Sequence, residues 1–289
     1  MLAIVATPIG NLGDITRRAA DCLADADLVL CEDTRVTGKL MAHLGLKKPL
    51  QPYHDHNAAR VRPMVLERLA QGALVALVSD AGTPLISDPG YRLVQEAAAA
   101  GIAVTPVPGA SASLAALMVA GLPTDRFLFA GFLPPKSKAR RDAIDEIKSV
   151  RATLVFYETG PRLLAAIEDL AAILGPRDAV VARELTKRFE SIRRMKLDAL
   201  AQHYRDRKPD AMPKGEIVLL VAPPDASEQA TGADDLDAML RDALARLPLK
   251  SAVEEVTAGT GKPRNEIYRR ALALQRDARD DTDDTDEAE

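Results

Sequence analysis

Short apolar runs that stop at turn residues recur along the first hundred positions, each followed by a stretch of helical period. That alternation limits the fold more than any other feature of the chain. Strands are expected at 2–7, 28–31, 74–79 and 102–107, with helices near 15–26, 34–44, 57–71 and 90–100 between them. Such an order packs as a sheet of parallel strands joined by helical crossovers. Asn57 is placed to cap its helix, Gly72 to end it and Gly101 to end the next. Ligands of these sheets bind beyond the carboxyl ends of the strands, so the loops there carry the functional interest.

The pattern restarts after Gly121-Leu122-Pro123, with strands expected at 127–132, 153–157, 179–182 and 216–222 and helices near 138–150, 162–174 and 197–206. Pro223-Pro224-Asp225-Ala226-Ser227-Glu228 has linker composition. Three short helical patterns follow at 235–247, 250–258 and 263–274, the last two joined by Gly259-Thr260-Gly261-Lys262. This is compatible with a helix-turn-helix or with any small helical cap. The expected organisation is an α/β domain at 1–121, a second at 122–224, a small helical domain at 233–276 and a disordered acidic tail at 277–289.

A length of 289 residues is too much for one small core and suits this division. Leu2-Ala3-Ile4-Val5-Ala6 lacks the basic start of a signal peptide and no apolar run is of membrane-spanning length, so a cytoplasmic location without membrane attachment is expected. Cys22 and Cys31 have no metal-type spacing and read as reduced core residues. The net charge of −4 is set by the tail; without 277–289 the chain carries 37 basic and 34 acidic residues, a net of +3. Basic residues gather at Lys136, Lys138, Arg140 and Arg141, at Lys187, Arg188, Arg193, Arg194 and Lys196, and at Arg205, Arg207 and Lys208. Lys262, Arg264, Arg269 and Arg270 add a group in the helical part. Each group alone reads as a solvated helix face, but together they favour a nucleic-acid partner.

Three strand-following loops carry unusual turn residues: Thr7-Pro8-Ile9-Gly10-Asn11, Ser79-Asp80-Ala81-Gly82-Thr83-Pro84-Leu85-Ile86-Ser87-Asp88-Pro89-Gly90, and Val107-Pro108-Gly109-Ala110-Ser111-Ala112. On a parallel sheet they share one edge, where Gly10, Gly82 and Gly109 let backbone approach a ligand closely. Neither a P-loop nor a dinucleotide fingerprint is present. Asp80 and Asp88 are expected to fasten the ends of their turn by bonds to backbone N–H groups. His54 and His56 have no further ligand at metal-site spacing, so helix capping and loop hydrogen bonds account for them and no metal is expected.

Together with Cys31-Glu32-Asp33-Thr34-Arg35 and Arg183-Glu184-Leu185-Thr186-Lys187, these loops resemble the ribose 2′-O-methyltransferases of small-subunit ribosomal RNA, a family within the tetrapyrrole methylase superfamily. The likeness runs from about Leu2 to Ala222. It implies two α/β domains of the tetrapyrrole methylase type, a class III S-adenosylmethionine methyltransferase, with a small C-terminal helical domain. It also implies a homodimer, S-adenosylmethionine in the cleft between the α/β domains, and a 16S ribosomal RNA cytidine in the small subunit as substrate. Carried onto this chain, the cofactor contacts fall on Pro8, Ile9, Gly10, Ala81, Gly82, Thr83, Ile86, Ser111, Ala112, Tyr157 and Leu185, mostly through backbone. RNA contacts fall on Lys136, Lys138, Arg140, Arg141, Lys262, Arg264, Arg269 and Arg270. Two departures stand out: Gly82-Thr83-Pro84 replaces the superfamily's Gly-Asp-Pro, and Tyr157-Glu158-Thr159-Gly160-Pro161-Arg162 replaces Tyr-Glu-Ser-Pro-His-Arg.

A ribose hydroxyl is a poor nucleophile, so alignment and a base or an alkoxide-stabilising cation are needed. Glu184 as base and Lys187 as cation are the first candidates, with Glu32, Asp33, Arg35 and Glu158 behind them. Three other readings remain open: a precorrin- or uroporphyrinogen-type tetrapyrrole methyltransferase, a ribosome-assembly factor that binds RNA without catalysis, and a nicotinamide dehydrogenase, which the missing fingerprint weakens.

Overall fold

In a computed structural model the described residues are 1–207, 213, 215–224, 226–260 and 263–283, with backbone alone described for 226–235 and 277–283. Lys208, Asp225, Gly261, Lys262 and the tail from 284 lie outside them. Residues 1–223 form one compact unit and 224–289 another.

The first sheet contains β1 (Leu2–Val5), β2 (Leu28–Cys31), β3 (Leu50–Pro52), β4 (Val75–Val78) and β5 (Val104–Val107), in the order β3-β2-β4-β1-β5. All four pairings are parallel. Its crossovers are α1 (Arg17–Asp25), α2 (Thr34–His43), α3 (Ala58–Ala70) and α4 (Tyr91–Ala99). Successive strand side chains alternate between faces, and both faces are covered. Ala3, Val5, Val29, Ala76 and Val78 pack with Ala19 and Leu23 of α1 and Leu40 and Met41 of α2. Leu2, Leu28, Leu30, Val75 and Leu77 pack with Val61, Val65 and Leu69 of α3 and Leu93 and Ala97 of α4. Burial on two faces is why β1, β2 and β4 are unbroken apolar runs.

The second sheet is mixed. It holds β6 (Phe127–Phe132), β7 (Thr153–Thr159), β8 (Asp178–Arg183), β9 (Ser191–Lys196) and β10 (Glu216–Val221), in the order β6-β7-β10-β8-β9. Only the β6–β7 pairing is parallel. On one face Leu154, Phe156, Leu219 and Val221 pack with α6 (Ser137–Ile147), α7 (Gly160–Leu174) and α8 (Leu197–Arg205). On the other, Val155, Val180, Ala182, Val218 and Leu220 pack with Ala116, Leu117 and Ala120 of α5 (Ala112–Ala120) and with Ile9 from the first sheet's edge. The turn at Gly121 is left-handed, as the break in the pattern requires. Nevertheless α5, which precedes that turn, packs against the second sheet, and this contact joins the two sheets into one unit.

Residues 224–289 hold α9 (Ala226–Arg246), α10 (Leu249–Thr260) and α11 (Arg264–Asp283). Leu240, Ala243, Ala252, Val253, Val256, Ile267 and Ala271 form its core. Helix begins at Ala226, inside the stretch read as linker, and α11 continues to Asp283, past Asp277 where the acidic tail was expected to begin. Propagating a helix beyond its packed segment costs little once it is nucleated, so charge alone does not stop it.

Candidate active site

Because β4, β1 and β5 are neighbours, their following loops meet at one edge, as expected. Thr7 and Gly82 exchange backbone hydrogen bonds of 2.8 and 3.0 Å, and the Thr83 hydroxyl donates to the Ala110 carbonyl at 3.1 Å. Between this edge and the second sheet lies a cavity of about 680 Å3, lined by Ile9, Ala81, Gly82, Thr83, Ile86, Ser87, Asp88, Ala112, Phe132, Tyr157, Glu158, Thr159, Glu216, Ile217 and Val218. A smaller recess of about 250 Å3 shares Ile9, Ala112, Glu216 and Val218 and adds Ala182, Glu184, Leu185 and Lys187.

Of the cofactor contacts expected from sequence, Ile9, Ala81, Gly82, Thr83, Ile86, Ala112 and Tyr157 line the cavity and Leu185 lines the recess. Pro8, Gly10 and Ser111 line neither. Gly10 is covered by the Lys187 side chain, whose Cγ crowds the place where a β-carbon would stand. The polar groups of Gly82 are spent on Thr7, so this glycine contributes room and a φ of +81° rather than a hydrogen bond. The N–H groups of Ile9, Ala81 and Thr83 have no partner among the described residues and remain to be used. Leu85 and Ser87 have φ of 71° and 63°, a conformation costing ~1–3 kcal/mol for residues with side chains and typical of ligand-holding loops.

The expected catalytic pair is taken up locally. Lys187 Nζ lies 3.0 Å from Glu184 and 3.6 Å from Glu216. Burial alone would lower the Lys187 ammonium; the two carboxylates outweigh it and raise it. Both residues face the recess, not the larger cavity. Glu158 does line the cavity, but it is tied to Arg162 at 3.2 Å and accepts the Thr159 N–H at 2.8 Å. Arg162 also donates to the Leu133 carbonyl. Glu32, Asp33 and Arg35 border a separate open cleft with His54, His56 and Asp80. There Asp33 caps α2 and pairs with Arg35 at 2.5 Å, which holds its carboxyl down at about 2.

The doubled Ser-Asp resolves into two different roles. Asp80 accepts the Asp33 N–H at 3.0 Å and so ties its loop to the next one, not to its own turn. Asp88 lines the cavity with the Ser79 hydroxyl in hydrogen-bonding reach. Burial first, then the Glu32 carboxylate, raises Asp88 to about 6; Ser79 opposes the shift, while Asp80 and Glu216 add to it. Sequence reasoning also missed Phe132, Ser87, Glu216, Ile217 and Val218. Ser87 lies in the loop after β4; the signal of the others, the ends of β6 and β10, cannot be placed without the pairing of β6, β7 and β10.

His54 and His56 are 6.0 Å apart, edge to face, and Asn57 spends its side chain on the His54 N–H and the Pro52 carbonyl rather than on α3. Among the described residues no group of three or more His, Cys, Asp or Glu is placed to hold a metal, and no helix is long and apolar enough to cross a membrane. Both cysteines are free thiols.

Several basic residues expected on RNA make contacts within the protein. Arg140 is buried against Asp169 at 2.7 Å because α6 turns it toward α7, and Arg141 reaches the same carboxylate at 3.8 Å. Arg194 donates to Ala120 and Val119 at the end of α5, and Lys196 and Arg205 pair with Asp178 and Glu168. Arg264 lies 3.7 Å from Glu254, Arg269 donates to the Asn265 carbonyl at 3.4 Å, and Arg270 pairs with the buried Asp237 at 2.5 Å. Lys136 and Lys138 stay exposed.

The sequence profile described as "Tetrapyrrole (Corrin/Porphyrin) Methylases" matches residues 1–201, and that of the "RsmI C-terminal HTH domain" matches 230–275. Relatives named ribosomal RNA small subunit methyltransferase I include those of Erythrobacter litoralis, 52% identical over 95% of each chain, and Mesorhizobium japonicum, 48% identical over 95% of this chain and 92% of that one. Among solved structures, a diphthine synthase aligns with TM-score 0.59 at 20% identity, covering 76% of this chain and 89% of that one. The methyltransferase CobJ aligns with TM-score 0.58 at 21% identity, covering 77% and 93%. At those identities the structures speak for the fold alone, whereas the sequence relatives are far closer. The chain belongs to the ribosomal RNA small subunit methyltransferase I family, within the tetrapyrrole methylases.

Proposed function

We propose that this protein is an S-adenosylmethionine-dependent methyltransferase that places a methyl group on the ribose 2′-oxygen of a cytidine in 16S ribosomal RNA of the small subunit. The observation that carries the reading is the cavity at the meeting of the three loops and the second sheet, in a chain whose sequence relatives reported above share one name. That name favours ribosomal RNA over a tetrapyrrole macrocycle, and the absence of a dinucleotide fingerprint weighs against nicotinamide.

The residues present suit the cofactor. Ile9, Ala112 and Val218 offer apolar walls for an adenine, the N–H groups of Ile9, Ala81 and Thr83 offer directed donors, and Asp88, which makes no ion pair among the described residues, adds negative charge that favours a cation to a lining that also holds the paired Glu158 and Glu216. S-adenosylmethionine supplies an electrophilic methyl group on a sulfonium centre. The protein aligns the ribose oxygen with it, excludes water and takes the proton. The acidic lining that suits a sulfonium repels phosphate, so RNA is held outside it. Lys136 and Lys138 follow the cavity residue Phe132 closely in sequence and stand exposed to do so. The expected homodimer would cover Leu114 and Met118, which are 50% and 84% exposed one turn apart on α5. An enzyme of this substrate works in the cytoplasm.

The test is transfer of labelled methyl to small subunits that lack the modification, followed by alkaline hydrolysis. Label in an alkali-resistant dinucleotide supports the reading, because a 2′-O-methyl group blocks cleavage at its own nucleotide. No label, despite measured cofactor binding, refutes it.

A further inference from the structure

The cavity does not end at the Asp88 carboxylate. Beyond it opens a second cleft of about 800 Å3, whose walls include Tyr53, Asp55, Arg62, Tyr91 and Arg92. Among the described residues Asp88 is common to the two. The cleft has the chemistry of a nucleotide site. Tyr91 is 68% exposed and offers a face for a base. Arg92 is exposed and makes no ion pair among the described residues, which leaves it for a phosphate. Arg62 is held by Glu96 at 2.8 Å and forms the cleft's fixed wall.

The segment that carries Asp88 is pinned. A β-carbon on Gly90 would meet Leu77 Cδ2 at 2.7 Å, and one on Gly131 would meet Ser87 Oγ at 3.3 Å, so both flanks press on their neighbours. The other acids that line the cavity and its recess are engaged, Glu184 and Glu216 with Lys187 and Glu158 with Arg162, and Asp80, outside both, holds the Asp33 N–H. Asp88 makes no ion pair among the described residues.

We propose that Asp88 is the proton acceptor of the methyl transfer, and that the cleft of Tyr91 and Arg92 seats the target nucleotide so that its 2′-hydroxyl meets Asp88 at the wall shared with the donor cavity. This rests on the functional reading above. The 2′-oxygen forms the new O–C bond as the donor's C–S bond breaks. The C–S electron pair stays on sulfur, leaving a neutral thioether, and the hydroxyl proton passes to Asp88. The groups facing Asp88 are Ser79, Glu32, Asp80 and Glu216, with Tyr157 and Glu158 across the cavity and Asp55, Arg62, Tyr53, Tyr91 and Arg92 across the cleft. Burial first, and then the carboxylates around it, raise it to about 6, near enough to neutrality to take a proton in the transition state.

The experiment is single-turnover methylation of unmodified small subunits from about pH 5 to 8.5, with donor affinity measured by calorimetry, for wild type, Asp88→Asn, Asp88→Glu and Arg92→Ala. In wild type the rate should rise to a plateau through a pH of about 6. Asp88→Asn should lose about 100-fold or more in rate and the pH dependence with it, at unchanged donor affinity, and Asp88→Glu should recover part of the rate. Arg92→Ala should raise KM for the subunit and leave kcat within about threefold. An active wild type with an Asp88→Asn variant within about fivefold of it overturns this inference alone. If Asp88→Asn loses donor affinity as well, the wild-type pH dependence decides, and a flat rate through pH 6 overturns it. A wild type that transfers no methyl overturns the functional reading, and this inference with it.

Discussion

Replacing Asp88 with Asn should make the folded protein more stable at neutral pH while disabling it. The native environment raises this carboxyl from 3.8 to about 6, burial being the largest cause. A raised carboxyl binds its proton more tightly in the native state than in the unfolded chain. Its ionised form therefore costs stability above pH 6, and the cost is relieved as pH falls from about 6 toward 4. At about 1.36 kcal/mol for each tenfold change, the shift is worth ~3 kcal/mol. Asp88 is only half buried, and solvent screening reduces this to about 1–1.5 kcal/mol. Asn keeps the shape and can still meet Ser79 but carries no charge. In a protein of this size the gain is about 2–5 °C in Tm. Thermal melts of both proteins at about pH 7.5 and pH 5 test it, with the Asp88→Asn variant ahead at the higher pH and the gap narrowing at the lower. Glu32 and Asp80 are also raised by burial and neighbouring carboxylates, and their repulsion of the Asp88 carboxylate is part of what Asn removes. An Asp88→Asn protein less stable than wild type at the higher pH, or a gap that does not change with pH, would refute the reasoning.

Gly82→Val should cut donor affinity about 100-fold or more, because a β-branched residue is strained at φ +81° and its Cβ would stand 3.3 Å from Ile9 Cγ2; equilibrium dialysis giving wild-type affinity rejects the site's placement. Arg140→Ala should destabilise by ~3 kcal/mol in urea unfolding by leaving Asp169 buried without its 2.7 Å partner, and an unchanged midpoint would return Arg140 to the RNA-facing group. Replacing Lys136 and Lys138 with Ala should weaken RNA binding and reduce the slope of log affinity against log salt by roughly 1.5–2 at constant donor affinity; an unchanged slope removes both from the interface. Met118→Glu should shift a dimer toward monomer in light scattering, and an unaltered mass places the subunit contact elsewhere.

The residues that sequence reasoning failed to place share a cause. Helix α5, Ala-Ser-Leu-Ala-Ala-Leu-Met-Val-Ala, has no polar face and so no helical period to detect. Strand β9, Ser-Ile-Arg-Arg-Met-Lys, is an edge strand whose cations resemble a polyanion site. In the fold Arg194 closes the end of α5 and Lys196 pairs with Asp178. Charge clusters along a chain record composition, and only folding decides which members are already taken.

What the sequence determined by itself was the alternation of strand and helix, the parallel order of the first sheet, and the loops that meet at its edge. These follow from local periodicity and turn chemistry, which neighbouring residues carry within themselves. The tertiary structure decided the rest. It packed α5 and Ile9 against the second sheet to close the cavity, and it spent Glu184 on Lys187 and Arg140 on Asp169. It also separated Asp80, a strut between loops, from Asp88, a carboxylate that lies between two clefts with no cation paired to it among the described residues. Two identical Ser-Asp pairs eight residues apart differ only in what the fold brings against them, and burial and charge act through space, not along the chain.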